Sequence, residues 1–251
     1  MAKIAINLYS VRALDASLEE VLELTAAAGY DGIQFSGKYT PLDGDPSEIA
    51  SILDRLGLEA TPPHASFEAI EAFDSSVIDT YQTLGNDGLV IPYLEEDHFA
   101  SEQAIDSIAS QLDAIDRRLE EELGWRLHYH NHAHEYVAFG DTTGFERFID
   151  KTNINIELDV GWAHVGGDDP VTRIQQLEGR SPLIHLKDMH DGPEPTFAEL
   201  GHGDVDIEGC VRSALETGSE WLIYEHDDPR DPRASIEHGA AHLTELVEQF
   251  E

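Results

Sequence analysis

Along the whole chain, short apolar runs alternate with longer amphipathic ones. The short runs are KIAINLY (3–9), DGIQFS (31–36), LEATPPH (58–64), DGLVIPYL (87–94), WRLHYHNH (125–132), NINIELDV (153–160), PLIHLKD (182–188) and EWLIYEH (220–226). Each is followed by a helix signal such as SLEEVLELTAAAGY or AIDSIASQLDAIDRRLEEELG, and several of these close on glycine, as in AAAGYDGI, LGLEA and ETGSEW. Strands alternating with helices predict a parallel sheet in an α/β protein. Eight such units in 251 residues match the length of a single (β/α)8 barrel, and no linker divides residues 1–251 into smaller domains. A doubly wound open sheet is the alternative. It lacks a signature here, because no G-x-G-x-x-G follows the first strand and NLYSVR offers no glycines to cradle a phosphate.

Charge narrows the partners. Asp and Glu number 51 against 15 Lys and Arg, a formal net charge of −36, yet 41% of the residues are hydrophobic. That apolar content and its patterning argue for a folded core rather than disorder. The acidity fits a solvated surface suited to a high-salt, halophilic cytoplasm, where ions screen the self-repulsion. It opposes a nucleic-acid partner, whose affinity rests on basic residues that release counterions. No run approaches the roughly 20 apolar residues of a membrane helix, and MAKIAINLYSVR lacks an apolar signal region, so a cytoplasmic location is expected. Cys210 is the only cysteine, which excludes an internal disulfide and any multi-thiolate metal site.

In a barrel of this kind the chemistry lies where the strands end, at the C-terminal face. Several of the runs end on ionisable or polar residues: Gln34, His64, Tyr93, His130 and His132, Asp159, His185 with Lys187, and Glu225 with Asp227. A carboxylate buried there must be paired, protonated or bound to a cation. Each residue also has a plainer role open to it. Asp159 can cap the helix after it, although Asp168 and Asp169 before Pro170 suit that task better. His185 can be a satisfied core histidine, and Glu225 can pair with an arginine such as Arg230. Lys187 stands out because the chain has only four lysines, and it shares a strand face with His185. In WRLHYHNHAHEY the histidines at 128, 130, 132 and 134 alternate, so in a strand all would face one way.

Taken together, AGYDGIQF, YHNHAHEY, IELDVGWAHVGGDDP, IHLKD, LGHGDVD and IYEHDDP resemble the xylose isomerase-like TIM barrels, the superfamily of sugar-phosphate isomerases and epimerases. The resemblance covers nearly the whole chain and is carried by the order and spacing of these motifs. It implies one divalent metal ion (Mn, Zn, Co, Fe or Mg) held by His130, Asp159, His185 and Glu225. Two departures from the family pattern bear on chemistry. His130 stands where epimerases commonly carry glutamate, and Trp162 stands where they often carry histidine. The implied activity is therefore proton abstraction beside the carbonyl of a sugar or sugar phosphate, with a metal-stabilised enediolate. That covers isomerisation and epimerisation, with dehydration of a cyclic polyol ketone as the alternative and a non-catalytic metal- or sugar-binding barrel as a second.

On this reading Glu225, Lys187 and His64 are the catalytic candidates, with Glu135 as a further possible acid or base. Gln34, His132, Glu135, Trp162 and Tyr9 are the expected substrate contacts, with Phe35 as an additional apolar face. His128 is expected to pack inside the barrel and His134 to lie in solvent. Burial and a nearby cation are expected to lower the Lys187 pKa. A homo-oligomer is compatible with all of this.

Overall fold

The computed structural model describes residues 2–250 and contains all eight expected strands, each shorter than its apolar run. They are β1 (Lys3–Asn7), β2 (Gly32–Gln34), β3 (Glu59–Ala60), β4 (Gly88–Ile91), β5 (Arg126–His130), β6 (Asn155–Asp159), β7 (Leu183–Leu186) and β8 (Trp221–Tyr224). Pairing is parallel in the order β3-β2-β1-β8-β7-β6-β5-β4. A bridge between His64 and Val90 then closes the curl. Beside it the Val90 N–H donates to Pro63 O (2.9 Å) and the Ala65 N–H to Val90 O (3.0 Å). The third run pairs over only two residues because Pro62 and Pro63 have no N–H to give the ladder. Pro92 ends β4 for the same reason.

Alternation along the strands sorts side chains into two populations. Ile4, Ile6, Ile33, Leu89, Ile91, Leu127, Ile156, Leu158, Ile184, Leu186 and Leu222 face the surrounding helices and form the main core. Ala5, Val90, Leu183, Trp221 and Ile223 form a separate small apolar cluster on the inside. The interior residues nearer the strand C-termini are polar: Asn7, Gln34, His130, Glu157, Asp159, His185 and Glu225, all buried. The apolar plug thus supports a polar layer at the end where the strands run out.

The helices start and stop where local chemistry directs. Ser17 and Glu20 form a reciprocal capping box ahead of Leu18–Ala28. That helix stops at Gly29, whose φ of 101° is costly for a residue with a Cβ. Between β7 and the helix Ile207–Thr217, a two-stranded ribbon (Asp188–His190 with Thr196–Ala198) folds back over the barrel mouth. Its anchor is the buried Asp188 carboxylate, which accepts from the backbone N–H groups of Gly201, Gly203 and Val205. No helix among the described residues is long and apolar enough to cross a membrane.

Candidate metal centre and active-site cavity

Residues two apart on a strand share a face, so in β5 both His128 and His130 point inward, one layer apart. His130 reaches the polar layer. There its Nε2 lies 3.2 Å from His185 Nδ1, 3.3 Å from Asp159 Oδ2 and 3.6 Å from Glu225 Oε2. Glu225 Oε2 is 2.8 Å from His185 Nδ1. One donor atom of each of His130, Asp159, His185 and Glu225 falls within 4.8 Å of all the others. Strands β5, β6 and β7 each carry one of them, and Glu225 directly follows the last residue of β8.

The donor set fits a divalent cation. Ligands about 2.0–2.2 Å from a tetrahedral centre stand about 3.3–3.6 Å apart, close to most of these separations. Asp159 Oδ2 is buried with only Lys187 Nζ (3.1 Å) and His130 Nε2 (3.3 Å) close to it, so a bound cation would add charge compensation at a carboxylate removed from water. Two imidazoles and two carboxylates suit Zn²⁺, Mn²⁺, Co²⁺ or Fe²⁺. Electrostatics point the same way. Burial works against a charged His130, but the hydrogen bonds its ring gives to Asp159 and Glu225, with their charges, outweigh it and raise its pKa to about 10. The two carboxylates therefore draw positive charge to this point.

Asp159 has a second role. Its Oδ1 accepts from the Trp162 N–H (2.8 Å) and caps the helix Val160–Val165, while Oδ2 faces the quartet. Asp169 separately caps the next helix, Pro170–Gln176. Cap and quartet member, set against each other by the sequence, are one residue. Among the described residues Glu225 has no arginine partner; its neighbours are His130, His185 and Lys187.

Lys187 Nζ, almost fully buried, stands 3.1 Å from Asp159 Oδ2, 3.0 Å from Glu225 Oε2 and 3.1 Å from Asp227 Oδ2. This corrects the expected direction of its pKa. Burial lowers it, but the three carboxylates together prevail and hold it above the ordinary lysine range. Asp188 takes no part, since its carboxylate is turned to loop amides. Trp162 and Phe197 flank the ammonium, with ring centres 5.0 and 5.9 Å away.

A second buried network lies beside the quartet. Glu157 Oε2 is 2.7 Å from His64 Nε2 and 3.1 Å from His185 Nε2. Gln34 donates from Nε2 to Glu157 Oε1 and to Pro62 O, and its own Oε1 accepts from Asn7. On the far side of the His64 ring, Nδ1 is 3.3 Å from Ser36 Oγ. Burial lowers the His64 pKa despite Glu157. Glu157, although burial raises its pKa, is held well below the carboxylate range by His185 and His64. Both shifts agree with a neutral His64 that donates its Nε2–H to an ionised Glu157 and accepts from Ser36.

A cavity of about 350 Å³ opens over these groups, lined by Tyr9, Ser36, Gly37, His64, Pro92, Tyr93, His130, His132, Lys187, Glu225 and Asp227. A larger groove of about 570 Å³ around Arg212, Glu216 and Phe250 contains none of the quartet. Of the expected substrate contacts, Tyr9 and His132 line the cavity. Gln34 does not reach it: the side chain is fully buried, with Oε1 2.8 Å from His185 Nε2. Glu135 is fully buried behind His132, accepting from the Tyr129 hydroxyl and the His132 N–H, and burial raises its pKa to about 8. Trp162 stands behind His132 and Lys187. Phe35 faces outward and packs on Tyr81, away from the cavity. His128 is buried at the opposite end of the barrel, as expected. His134 differs from expectation: it is half-buried, with Nε2 3.0 Å from Leu94 O and its ring against Tyr93 and Phe99.

The sequence reading overlooked Glu157 and gave Asp227 no role. The signal for Glu157 was parity, since it precedes Asp159 by two and therefore shares its inward face. Asp227 lines the cavity, and burial together with Glu225 pushes its pKa up to about 6.

Comparison with known proteins accords with this architecture. The profile of the family described as Xylose isomerase-like TIM barrel matches residues 22–246. Among curated proteins, an inosose dehydratase of Lacticaseibacillus casei is 24% identical over 259 residues, covering 87% of this chain and 84% of its own. Among solved structures, a sugar phosphate isomerase/epimerase of Parabacteroides distasonis superposes with a TM-score of 0.80 at 17% identity, covering 97% of this chain and 98% of that one. The IOLI protein with a bound zinc atom gives 0.78 at 17% identity, covering 99% of both chains. With a family match across most of its length and the barrel that the family is described by, the chain belongs to the xylose isomerase-like TIM barrel family.

Proposed function

We propose that the protein is a divalent-metal-dependent enzyme that removes a proton beside the carbonyl of a sugar-like substrate, leading to isomerisation or epimerisation. The observation that carries this reading is the convergence of His130, Asp159, His185 and Glu225 at the strand ends, with His130 and Glu225 reaching the lining of the cavity. These four would hold the cation, which when bound supplies Lewis-acid stabilisation of negative charge on the substrate oxygens. The structure with a bound zinc among those similar in fold supports a metal here.

The remaining roles belong to the protein's own side chains. Glu225 turns Oε2 toward His185 and Lys187, which leaves Oε1 to take the proton from carbon. The Lys187 ammonium, fixed by carboxylates on three sides, donates to the oxygen on which charge develops. His64, neutral and oriented by Glu157 and Ser36, faces the cavity from the opposite wall and is the second group able to move a proton. Tyr9 and Tyr93 supply apolar faces at the rim for sugar C–H groups.

Dehydration of a cyclic polyol ketone is the second reading. It is favoured by the similarity to an inosose dehydratase and by His130 at the place where epimerases carry a second carboxylate. Both readings begin with the same proton abstraction. The test is incubation of metal-loaded protein with ketoses and inososes in D₂O, followed by NMR. Loss of the proton beside the carbonyl is expected, and the product distinguishes the two outcomes, an enone absorbance marking dehydration. Absence of exchange across the panel would refute both.

A further inference from the structure

Glu157 is fully buried on β6, facing inward beside Asp159, and does not line the cavity. Three N–H groups converge on its carboxylate. Gln34 Nε2 donates to Oε1, while Oε2 stands 2.7 Å from His64 Nε2 and 3.1 Å from His185 Nε2. The Gln34 amide is fixed in this orientation, because its Nε2 also donates to Pro62 O and its Oε1 accepts from Asn7. That same Oε1 is 2.8 Å from His185 Nε2. Two acceptors thus face His185 Nε2, which must carry a hydrogen.

A neutral imidazole has a single N–H, and only its other nitrogen can bind a metal. For His185 that nitrogen is Nδ1, which lies inside the quartet, 2.8 Å from Glu225 Oε2 and 3.2 Å from His130 Nε2. His64 obeys the same constraint. With its Nε2–H on Glu157, its lone pair is on Nδ1, 3.3 Å from Ser36 Oγ at the cavity wall. The two rings stack 5.5 Å apart with 12° between their planes, which lets both Nε2 atoms reach one oxygen side by side.

We infer that Glu157 is a positioning residue that ties the metal centre to His64: one carboxylate oxygen, accepting from both Nε2–H groups, presents His185 Nδ1 to the cation and His64 Nδ1 to the cavity. This role rests on the proposed reaction for the cation and for the use of His64. On this assignment His64 can take a proton at Nδ1 and has none to give there. A carboxylate behind a ligating histidine fixes its tautomer and raises its basicity, and its loss typically weakens metal binding about 10–100-fold. Glu157→Gln keeps the shape but introduces an NH₂ group. Turned toward Gln34, that group sets donor against donor. Turned toward the histidines, it forces both rings to carry hydrogen on Nδ1, which in His185 blocks the cation.

The experiment uses the full chain with ¹⁵N-labelled histidine, and zinc as the probe. Long-range ¹H–¹⁵N spectra of the zinc-loaded protein show which nitrogen of each ring carries hydrogen, and competition with a chromophoric chelator gives the zinc affinity. Wild type is expected to bind one zinc per chain, with hydrogen on Nε2 of both His185 and His64. Glu157→Gln should bind zinc about 10–100-fold more weakly while its circular dichroism is retained; a carboxylate that serves folding alone would lower Tm and leave that affinity unchanged. Hydrogen on Nδ1 of either ring in wild type, or unchanged zinc affinity in Glu157→Gln, overturns the inference, and the wild-type spectra decide if the variant fails to fold. One ligand atom each of His64, Glu157 and His185 lie within 4.8 Å of one another, near enough to hold a second cation, so two zinc ions per chain overturn it as well. A chain that binds no zinc refutes both this role and the proposed metal dependence. The expected tautomers without deuterium exchange fault the reaction alone; exchange with other tautomers faults the role of Glu157 alone.

Discussion

His128 sits inside the barrel, one layer below the candidate metal centre, with Nδ1 buried and without a partner. Burial is the main influence on it and lowers its pKa to about 4; Glu157, Asp87 and Asp116 oppose the shift but lose. In the unfolded chain an ordinary histidine titrates near 6.5. Between these values the unfolded state binds a proton that the folded state refuses, so stability is fully present above about pH 6.5 and falls as pH drops toward 4. The gap of about 2.5 units at 1.36 kcal/mol each leaves a loss of about 3 kcal/mol by pH 4. That is a large part of the roughly 5–15 kcal/mol stability of a typical domain.

The perturbation is His128→Leu, of similar size and without a titrating group. Urea unfolding at fixed molar KCl from pH 8 to pH 4 gives ΔG for both proteins. The carboxylates and the other histidines titrate in both, so the difference between the curves isolates residue 128. Wild type is expected to lose about 3 kcal/mol more than the variant across that range. Parallel curves would refute the reasoning, because they would mean that His128 is solvated or already charged in the folded barrel.

Three further outcomes are expected. Asp159→Asn keeps an oxygen to cap the helix Val160–Val165 but weakens the quartet, so bound zinc measured by atomic emission after dialysis should fall while the circular dichroism is retained; an unchanged metal content removes Asp159 from the ligands. Lys187→Met should lower kcat on the order of 10²–10³-fold with little change in KM, and should also lower Tm, because three carboxylates lose their shared cation; early melting with normal turnover would make Lys187 purely structural. Given the net charge of −36, Tm should rise from dilute buffer to molar KCl as repulsion is screened, and equal midpoints would deny the surface charge a role in salt adaptation.

The barrel was legible because each strand is a local signal of apolar residues punctuated by turn residues. The quartet was legible for a related reason: Asp159, His185 and Glu225 interrupt apolar runs near their ends, where a buried charge needs an explanation. Other features depend on contacts that spacing does not encode. Glu157 looks like one polar residue in NINIELD until Gln34, 123 positions away, and His64 are found against it. The direction of the Lys187 shift follows from three carboxylates, one on β6 and two just beyond β8, whose joint distance to one ammonium no single segment reveals. The short third strand could have been anticipated from Pro62 and Pro63, since the missing donors are written in the sequence. His134 was assigned to solvent from its place past the strand, but the turn Ala133–Tyr136 folds it back on Tyr93.

Seven interstrand ladders hold the cylinder, and its eighth join is a seam: the His64–Val90 bridge and its two flanking hydrogen bonds. A cuff fastened at one narrow clasp opens there first. The residue at the clasp is His64, which also forms one wall of the cavity. Parting the seam would draw His64 away from Glu157 and unroof the cavity while the other seven ladders stay zipped. A ligand touching His64 on one wall and Glu225 on the other would act as a rivet across the slit. Occupancy and mechanical closure of the barrel would then reinforce each other, because whatever binds only the closed form also holds it shut.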